Sequence, residues 1–345
     1  MKKVTIVTNS IGGGGAERAM NLLSNELMNR GYSVTLIPIN NSVKDYVAIN
    51  CEILFINRVP TGSLTATWRS LLKFINLIKR ENPDFVLLNC DLPEFFGLFL
   101  KRNYNLIVIE HSNPAWTTRP ILGRVVRYLH KLKSTKFLTV SSHLTIWPTG
   151  MAASGVVNNI IDATKLGKLH DTSSRRLLRL VFIGRLTKIQ KRPSWLIEIG
   201  KQLSVPVIFI GQGKEEDNLR NDAEKNQVSV CFLGHQLNPW SHILPGDLLV
   251  VPSLFEGDGL VVVEAIAQNL PIILSDIKDF RRFGLPDFFY AHSTHDFISK
   301  IEKHRLDISK FIVPETNSHA ILEFRTPSKV GDSWERIFKD KDGLL

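Results

Sequence analysis

Two glutamates, Glu256 and Glu264, lie eight residues apart across a glycine-rich turn in the C-terminal half of the 345-residue chain. A strand-like apolar run, residues 247–251, precedes the turn, and an apolar helical pattern follows it from Leu260. Glycine allows a backbone to approach a ligand closely, and the N–H groups at a helix start favour a phosphate. The carboxylates can accept hydrogen bonds from hydroxyl groups. The turn therefore predicts a site for a ligand with both phosphates and hydroxyls, as in a nucleotide-sugar.

A second glycine-rich turn lies near the start of the chain, where four consecutive glycines occupy residues 12–15. Such a run costs backbone entropy, so a tight turn or a close ligand must justify it. A dinucleotide fingerprint would require a sixth-position glycine, but Glu17 stands there. A Walker-type loop is also disfavoured, because Gly213-Lys214 is followed by Glu215 rather than by serine or threonine.

Two cations, Arg185 and Lys191, lie six residues apart in the loop that follows an apolar run ending at Gly184. Cleavage of a nucleotide-sugar leaves negative charge on a departing diphosphate. A fixed donor at such a charge is worth about 3 kcal/mol, with Arg offering a planar fork and Lys a point charge. The pair is therefore a candidate diphosphate contact; a solvated surface loop is the alternative.

Short apolar runs alternate with amphipathic stretches along the chain, which is typical of α/β proteins. Strands are predicted at residues 4–8, 33–38, 52–56, 85–88, 106–109, 137–140, 180–183, 207–210, 230–233, 248–251 and 272–274. Helices are predicted at residues 16–30, 67–80, 92–101, 120–131, 193–202, 214–225, 260–268, 295–304 and 327–338. A polar, basic segment without periodicity, residues 164–176, predicts a linker between two domains.

The composition favours a globular protein with anionic partners. Hydrophobic residues make up 43% of the chain, and the formal net charge is +10. No apolar run reaches the roughly 18 residues that a membrane-spanning helix needs, and the N-terminal apolar run is too short and polar for a signal peptide. No nucleic-acid-binding motif is present, and the three cysteines have no metal-ligand spacing. For residues 67–79, core packing with a basic outer face and an interfacial membrane contact remain open alternatives.

These motifs, taken in order, resemble the retaining GT-B glycosyltransferases of family 4. The segment from Glu256 to Glu264 is similar to that family's Glu-x7-Glu signature, and the first glycine run is similar to its Gly-Gly-Ala-Glu-Arg motif. The resemblance covers nearly the whole chain. It implies an α/β, GT-B fold with two Rossmann-like domains facing each other across a cleft. The expected domains are an acceptor-side domain over residues 1–163, a nucleotide-sugar domain over 164–326 and a C-terminal helix, 327–345, that crosses back.

The resemblance also implies roles for individual residues. The donor-binding set would be Gly14, Gly15, Gly184, Arg185, Lys191, Gly213, Asp258, Gly259, Leu260, Val261 and Glu264. Glu256 and His111 would be the catalytic residues, at the reacting end of the sugar. Since Arg185 and Lys191 would bind the diphosphate in place of a metal, no metal or cofactor is expected. Asp258 replaces an aromatic residue that often follows Glu-Gly in the family, so we predict an altered selection of sugar hydroxyls.

The activity implied is retaining transfer of a sugar from a nucleotide diphosphate sugar, with UDP expected, to a hydroxyl of a lipid-linked saccharide in bacterial surface polysaccharide synthesis. The expected location is cytoplasmic, with peripheral contact at the inner face of the plasma membrane and no nucleic-acid partner. Two alternatives remain: a GT-B-fold nucleotide-sugar epimerase, which would need no acceptor, and a non-catalytic nucleotide-sugar-binding partner subunit. A nicotinamide oxidoreductase is less favoured because the fingerprint is incomplete.

Overall fold

The computed structural model describes residues 1–12, 14–40, 49–59, 63–111, 116, 119–144, 146, 149, 152–161, 166 and 175–340. The chain divides into two compact units. Unit 1 comprises Met1–Ile160 together with Pro327–Leu345, and unit 2 comprises Ile161–Thr326. Most of the predicted linker at 164–176 lies outside the described residues.

Unit 1 is an α/β unit built on a parallel sheet. Its strands are β1 (Lys3–Thr8), β2 (Ser33–Pro38), β3 (Glu52–Ile53), β4 (Phe85–Asn89), β5 (Asn105–Glu110), β6 (Lys136–Thr139) and β7 (Gly155–Val156). Its helices are α1 (Gly15–Asn29), α2 (Leu64–Glu81), α3 (Asp91–Gly97), α4 (Pro120–Leu132) and the C-terminal α11 (Pro327–Lys339). The strand order is β3-β2-β1-β4-β5-β6-β7, with β1 and β4 forming the buried centre.

The chain runs from β1 outward to β3 and then returns to β4 before running outward in the other direction. Because parallel crossovers are right-handed, α2, α3 and α4 lie on one face of this sheet and α1 on the other. Helix α11 packs beside α1 through Arg30, whose guanidinium lies 2.9 Å from Asp332. Its Phe338 also stacks on Phe85 of β4 at a ring distance of 4.3 Å. The last helix is therefore an integral part of unit 1.

Unit 2 is a second α/β unit. Its strands are β8 (Arg179–Ile183), β9 (Val207–Ile210), β10 (Val230–Phe232), β11 (Asp247–Val251), β12 (Ile272–Ser275) and β13 (Tyr290–Ala291). Its helices are α5 (Ser194–Leu203), α6 (Glu216–Asn226), α7 (Leu260–Ala267), α8 (Lys278–Arg281), α9 (Thr294–His304) and α10 (Glu315–Leu322). The parallel strands follow the order β10-β9-β8-β11-β12-β13. Two parallel sheets confirm the predicted α/β class.

Each sheet has a point where the direction of strand addition reverses. It falls between β1 and β4 in unit 1 and between β8 and β11 in unit 2. Open parallel sheets bind ligands outside the carboxyl ends of the strands at such points, because the loops there diverge and leave a crevice. The glycine run follows β1, the Arg185 loop follows β8, and the Glu256 turn follows β11. Three of the predicted motifs therefore lie at switch points of their own sheets.

Some predicted boundaries were wrong. The strand expected at residues 52–56 is only Glu52–Ile53, and the helix expected at 92–101 ends at Gly97. Four short elements (β7, β13, α8 and α10) had no sequence prediction. The two strands among them have two residues each and α8 has four, so no periodic pattern can develop. Helix α10 has eight residues but buries none of them, so it has no apolar stripe.

Candidate functional site

Glu256 and Lys191 form a direct contact in unit 2. The Lys191 Nζ lies 2.5 Å from Glu256 Oε1, and the exposed fractions of the two side chains are 17% and 7%. Ser253 also donates its hydroxyl to Glu256 Oε1, at 2.6 Å. Among the described residues, both side-chain hydrogen bonds to this carboxylate therefore go to one oxygen. The second oxygen, Oε2, remains the one that can accept a hydroxyl.

The loops that carry this pair are tied to each other and to the sheet. The amide of Leu254 donates to the carbonyl of Gln190 at 2.8 Å, which joins the loop after β11 to the loop after β8. The amide of Glu256 donates to Asp279 Oδ2 at 2.6 Å. Ser275 of β12 donates its hydroxyl to the carbonyl of Ser253 at 2.5 Å. The backbone on both sides of the Lys191–Glu256 contact is thus fixed by hydrogen bonds.

Helix α7 begins directly after the Glu256 turn. Its N-cap is Gly259, in the left-handed conformation at φ +59°, and a glycine offers no side chain to cap the first amides. A Cβ on Gly259 would lie 3.1 Å from the ring of Phe280, so both the left-handed conformation and the tight contact favour glycine. The first N–H groups of a helix have no intrahelical acceptor. The amides of Leu260 and Val261 therefore lie where an anion would be stabilised.

Asp258 lies in the same turn, but its carboxylate is held by two arginines. Arg325 contacts both oxygens at 2.6 Å, and Arg282 contacts Oδ1 at 2.8 Å. Arg282 Nη2 also donates to the Asp258 carbonyl at 2.5 Å. Burial lowers the pKa of Arg282 although Asp258 opposes the shift. This geometry favours a structural role for Asp258 over the hydroxyl selection that the sequence predicts.

Glu264 lies on α7 and is 7% exposed. Its Oε2 accepts a hydrogen bond at 3.1 Å from the indole N–H of the buried Trp240. Trp240 belongs to a short 3-10 turn, Pro239–His242, and its amide donates a hydrogen bond to the Asn238 side chain. The indole therefore fixes the orientation of a carboxylate that belongs to the predicted donor-binding set.

Two glycines that follow β9 are required by close approach to the backbone of the loop after β8. A Cβ on Gly213 would lie 2.2 Å from the carbonyl oxygen of Leu186, and a Cβ on Gly211 would lie 1.9 Å from that of Gly184. The predicted donor residue Gly213 therefore has a packing reason for being glycine. Arg185 follows Gly184 and has an exposed side chain.

The predicted residues of unit 1 also follow strand ends. Gly14 is the N-cap of α1 and Gly15 is its first residue, with no capping side chain. His111 follows β5 directly and is half-buried. Since β1 and β5 are parallel members of one sheet, both motifs lie at the same edge of unit 1.

Glu110, the residue before His111 in the sequence, belongs to a buried cluster of ionisable side chains. Arg127 of α4 contacts Glu94 at 2.9 Å and Glu110 at 2.6 Å. Trp116 donates its indole N–H to Glu94 at 2.9 Å. Burial raises the pKa of Glu110 to about 8 although Arg127 opposes the shift. One guanidinium thus serves two buried carboxylates, and His130 completes the cluster by bonding the Glu94 carbonyl.

Within the described ranges, no three His, Cys, Asp or Glu side chains are grouped so as to hold a metal ion. The three cysteines, Cys51, Cys90 and Cys231, are free thiols. No helix in the described part of the chain is long and apolar enough to cross a membrane.

Sequence reasoning missed several residues that shape the site. Ser253 lies inside the quoted motif but had no assigned role. Asp279, Arg282 and Arg325 are separated from their partners by 23, 24 and 67 residues, respectively. Trp240 is separated from Glu264 by 24 residues. No local pattern connects pairs at such separations, so only the tertiary structure identifies them.

Comparison with known families gives two matches in the order of the two units. The model described as Glycosyltransferase Family 4 matches residues 13–145. The model described as Glycosyl transferases group 1 matches residues 178–304. Together these segments include residues 13–15 of the first glycine run, the basic pair and the Glu256 turn.

Individual proteins agree with this result. The chain is 25% identical over 319 residues to an N-acetylgalactosamine-N,N'-diacetylbacillosaminyl-diphospho-undecaprenol 4-alpha-N-acetylgalactosaminyltransferase of Campylobacter jejuni, covering 84% of this chain and 85% of that protein. It is 24% identical over 295 residues to the amylovoran biosynthesis glycosyltransferase AmsD of Erwinia amylovora, covering 81% and 82%.

The solved structures agree at the level of the fold. The crystal structure of Anabaena Alr3699/HepE in complex with UDP and glucose matches with a TM-score of 0.78 at 15% identity, covering 99% of this chain and 100% of that one. This likeness confirms the predicted GT-B class of fold. The chain belongs to the group 1 glycosyl transferases of glycosyltransferase family 4, as the family resemblance of its motifs predicted.

Proposed function

We propose that this glycosyltransferase moves a sugar from a UDP-sugar to a hydroxyl of a lipid-linked saccharide, with retention of the anomeric configuration. The observation that carries the proposal is the contact between Lys191 and Glu256 at 2.5 Å, in a buried turn that leads into α7. A carboxylate and a helix start in one turn, with an ammonium from the loop after β8 against the carboxylate, fit a ligand with a pyrophosphate next to a sugar.

The donor would be held from two sides of its pyrophosphate. The amides of Leu260 and Val261 offer the helix start to one phosphate, and Lys191 and Arg185 offer cations to the charge that develops on departure. Glu264, oriented by Trp240, would accept the ribose hydroxyls. The Anabaena protein binds UDP in its crystal structure, which supports uridine as the base.

In the reaction, the bond between the anomeric carbon and the β-phosphate oxygen breaks, and a bond from the acceptor oxygen forms on the same face of the sugar. The acceptor proton passes to the departing phosphate oxygen, so UDP leaves as the protonated product. Glu256 Oε2 would accept a hydroxyl of the transferred sugar and stabilise positive charge at the anomeric carbon. Lys191 would stabilise the opposite charge on the diphosphate, a contribution of about 3 kcal/mol for one such donor.

Two relatives support a proposal for the acceptor class. One is named for action on a diphospho-undecaprenol-linked sugar and another for amylovoran biosynthesis. We therefore infer a lipid-linked saccharide of a bacterial surface polysaccharide as acceptor. We expect the protein to work in the cytoplasm, in peripheral contact with the inner face of the plasma membrane, where nucleotide-sugar and lipid-linked substrate meet.

The donor can be identified by a thermal-shift panel of UDP- and GDP-sugars. A ligand at 100 times its Kd adds about 2.7 kcal/mol to stability, which a shift in unfolding temperature reports. We expect a UDP-sugar to give the largest shift. A larger shift with a GDP-sugar would contradict the uridine assignment.

Transfer is then assayed with that donor and a polyprenyl-diphosphate-linked saccharide, and the product linkage is determined by NMR. Lys191→Met and Glu256→Gln should each lower kcat by about 10²–10³-fold. Lys188→Met is the matched control, because Lys188 is an exposed lysine of the same loop and should leave kcat near the wild-type value. Wild-type kcat in the first two variants, or inversion in the product, would refute the assignment.

Two further experiments test for epimerase activity and for a requirement for a metal ion. Incubation with donor alone would yield a new nucleotide-sugar if the protein were an epimerase, whereas a transferase gives none. A chelator should leave kcat unchanged if Lys191 and Arg185 take the place of a metal ion. Loss of activity that Mg²⁺ restores would contradict that part of the proposal.

A further inference from the structure

Helix α4 has a buried inner face and an outer face that is apolar although it is exposed. Its inner face is buried and carries Gly123, Val126 and the cluster residues Arg127 and His130. Its outer face carries five large hydrophobic side chains whose exposed fractions range from 41% to 78%: Ile121, Val125, Tyr128, Leu129 and Leu132. The spacing of these five residues keeps them on one side of an α-helix. An outer stripe of this kind is not explained by the core of unit 1.

Helix α2 has a similar outer stripe. Leu64, Trp68 and Leu72 are spaced by four residues and are exposed by 86%, 57% and 46%. Phe99, which follows α3, is 43% exposed and meets the Trp68 ring edge-on at 6.4 Å. Because α2, α3 and α4 lie on the same face of the sheet, these side chains belong to one helical layer.

Ring contacts connect the two stripes. Phe99 meets Phe95 of α3 at 5.5 Å, and Phe95 packs against Trp116 and Val126, which belong to the cluster beneath α4. We call the exposed set the outer face of α2–α4. It comprises Leu64, Trp68, Leu72, Phe99, Ile121, Val125, Tyr128, Leu129 and Leu132.

The charged residues of α2 and α4 are basic, apart from Glu81 at the end of α2. Residues 111–161 contain six Lys and Arg and no Asp or Glu, and α2 has no acidic residue before Glu81. Arg124 and Lys131 are exposed on α4 among its apolar residues, and Arg69 and Lys73 are exposed on α2. Helices that carry Trp and Leu with flanking Lys and Arg lie in the headgroup region of anionic bilayers.

We propose that the outer face of α2–α4 docks unit 1 onto an anionic lipid surface. This inference deepens the proposed function and rests on it for its purpose, because a lipid-linked acceptor would be met at that surface. The apolar stripes would enter the headgroup boundary while Arg124, Lys131, Arg69 and Lys73 contact lipid phosphates. A membrane fits better than a protein partner because the basic charge extends over α2 and α4 with Glu81, at the end of α2, as the one acidic residue of these two helices, so no directional pattern of opposite charges is offered.

The test is sedimentation of the full chain with vesicles, in the absence of donor and acceptor. One set of vesicles is phosphatidylcholine and the other an equal mixture of phosphatidylcholine and phosphatidylglycerol. The wild type should bind the second set, and binding should weaken as salt is added. Arg124→Gln with Lys131→Gln should weaken binding about 30-fold, since each basic residue near such a surface contributes about fivefold. Val125→Ser with Leu129→Ser should weaken it by roughly tenfold or more.

The matched control is Lys225→Gln with Lys303→Gln, two exposed lysines of unit 2 that give the same change in net charge. This control should bind like the wild type. Equal binding by all variants, or equal binding to both vesicle sets, would overturn the proposal. A different result would assign the outer face to a second copy of the chain. In that case the wild type would not bind vesicles but would form a dimer, and Val125→Ser with Leu129→Ser would abolish the dimer.

Because vesicle binding requires no catalysis, its outcome is independent of the transfer assay. Both outer-face variants should keep the wild-type kcat on a water-soluble acceptor, since all four substituted side chains are exposed. Loss of that activity together with a lowered unfolding temperature would indicate misfolding. The charge variant, which removes no packing, would then remain as the decisive measurement.

Discussion

The contact between Asp258 and its two arginines gives a sharp prediction for the substitution Asp258→Asn. The change keeps the shape of the side chain but removes its charge. Arg325 then loses both of its charged hydrogen bonds, and Arg282 loses one. The affected atoms are buried, since the exposed fractions are 3% for the Asp258 side chain and 4% for that of Arg325.

Removal of one partner from a buried ion pair costs about 3–5 kcal/mol, because the remaining charge is left without compensation. For a unit of this size, 1 kcal/mol shifts the unfolding temperature by about 2–4 °C, so we expect a decrease of roughly 6–20 °C. The turn that Asp258 fixes also carries the amides of Leu260 and Val261. We therefore expect the KM for the donor to rise by about tenfold, which corresponds to 1.4 kcal/mol.

Stability is measured by urea and thermal unfolding, and the KM by the transfer assay. Glu216→Gln is the control, because its pair with Arg220 is exposed by 31% and 52% and such pairs contribute at most about 1 kcal/mol. Adding Arg325→Met to Asp258→Asn should recover part of the lost stability, since it removes one of the uncompensated charges. The reasoning would be refuted if Asp258→Asn unfolded at the wild-type midpoint with an unchanged KM.

Two further predictions concern single hydrogen bonds and protons. Trp240→Phe removes the indole N–H that contacts Glu264 at 3.1 Å, so the KM for the donor should rise about tenfold at unchanged kcat; an unchanged KM would contradict the positioning role. Burial raises the pKa of Glu110 from 4.5 to about 8. Between these pH values the folded unit 1 keeps a proton on Glu110 that the unfolded chain releases. The free energy of unfolding should therefore fall as pH rises from 4.5 to 8. Glu110→Gln should flatten that slope in urea midpoints measured across this range, and an unaltered slope would assign the pH dependence to other groups.

Most long elements of both units follow from the sequence because their hydrophobic period is sustained. Helix α1, predicted at 16–30, is Gly15–Asn29, and strand β9 matches its predicted residues, 207–210. The strand β3 fails after two residues although residues 52–56 include several apolar side chains. Among the strands of the described residues, β3 is at the edge of its sheet and pairs with β2 alone, so it has a ladder partner on one side.

The chemistry-bearing residues of the site were predictable where they follow a strand end. In a parallel sheet the carboxyl ends of neighbouring strands meet at one edge, so Lys191 after β8 and Glu256 after β11 had a reason to be close. Their contact spans 65 residues of sequence and could not be derived from spacing alone. The same holds for Trp240 and Glu264, because a lone tryptophan before a strand is equally compatible with core packing.

The contrast between Glu256 and Asp258 explains why residue type alone misleads inside a glycine-rich turn. A carboxylate can accept from a sugar hydroxyl or from a guanidinium, and a chain with 43 Lys and Arg offers many guanidinium and ammonium partners. The two contacts to Glu256 from described side chains share Oε1, so Oε2 can still meet a hydroxyl. Both oxygens of Asp258 accept hydrogen bonds from arginines. If Asp258 turned to bind a sugar hydroxyl instead, Arg325 would stay buried without its counter-charge. We therefore predict different roles for the two acids of the turn: Glu256 is expected to contact the ligand, and Asp258 to hold the backbone that presents it.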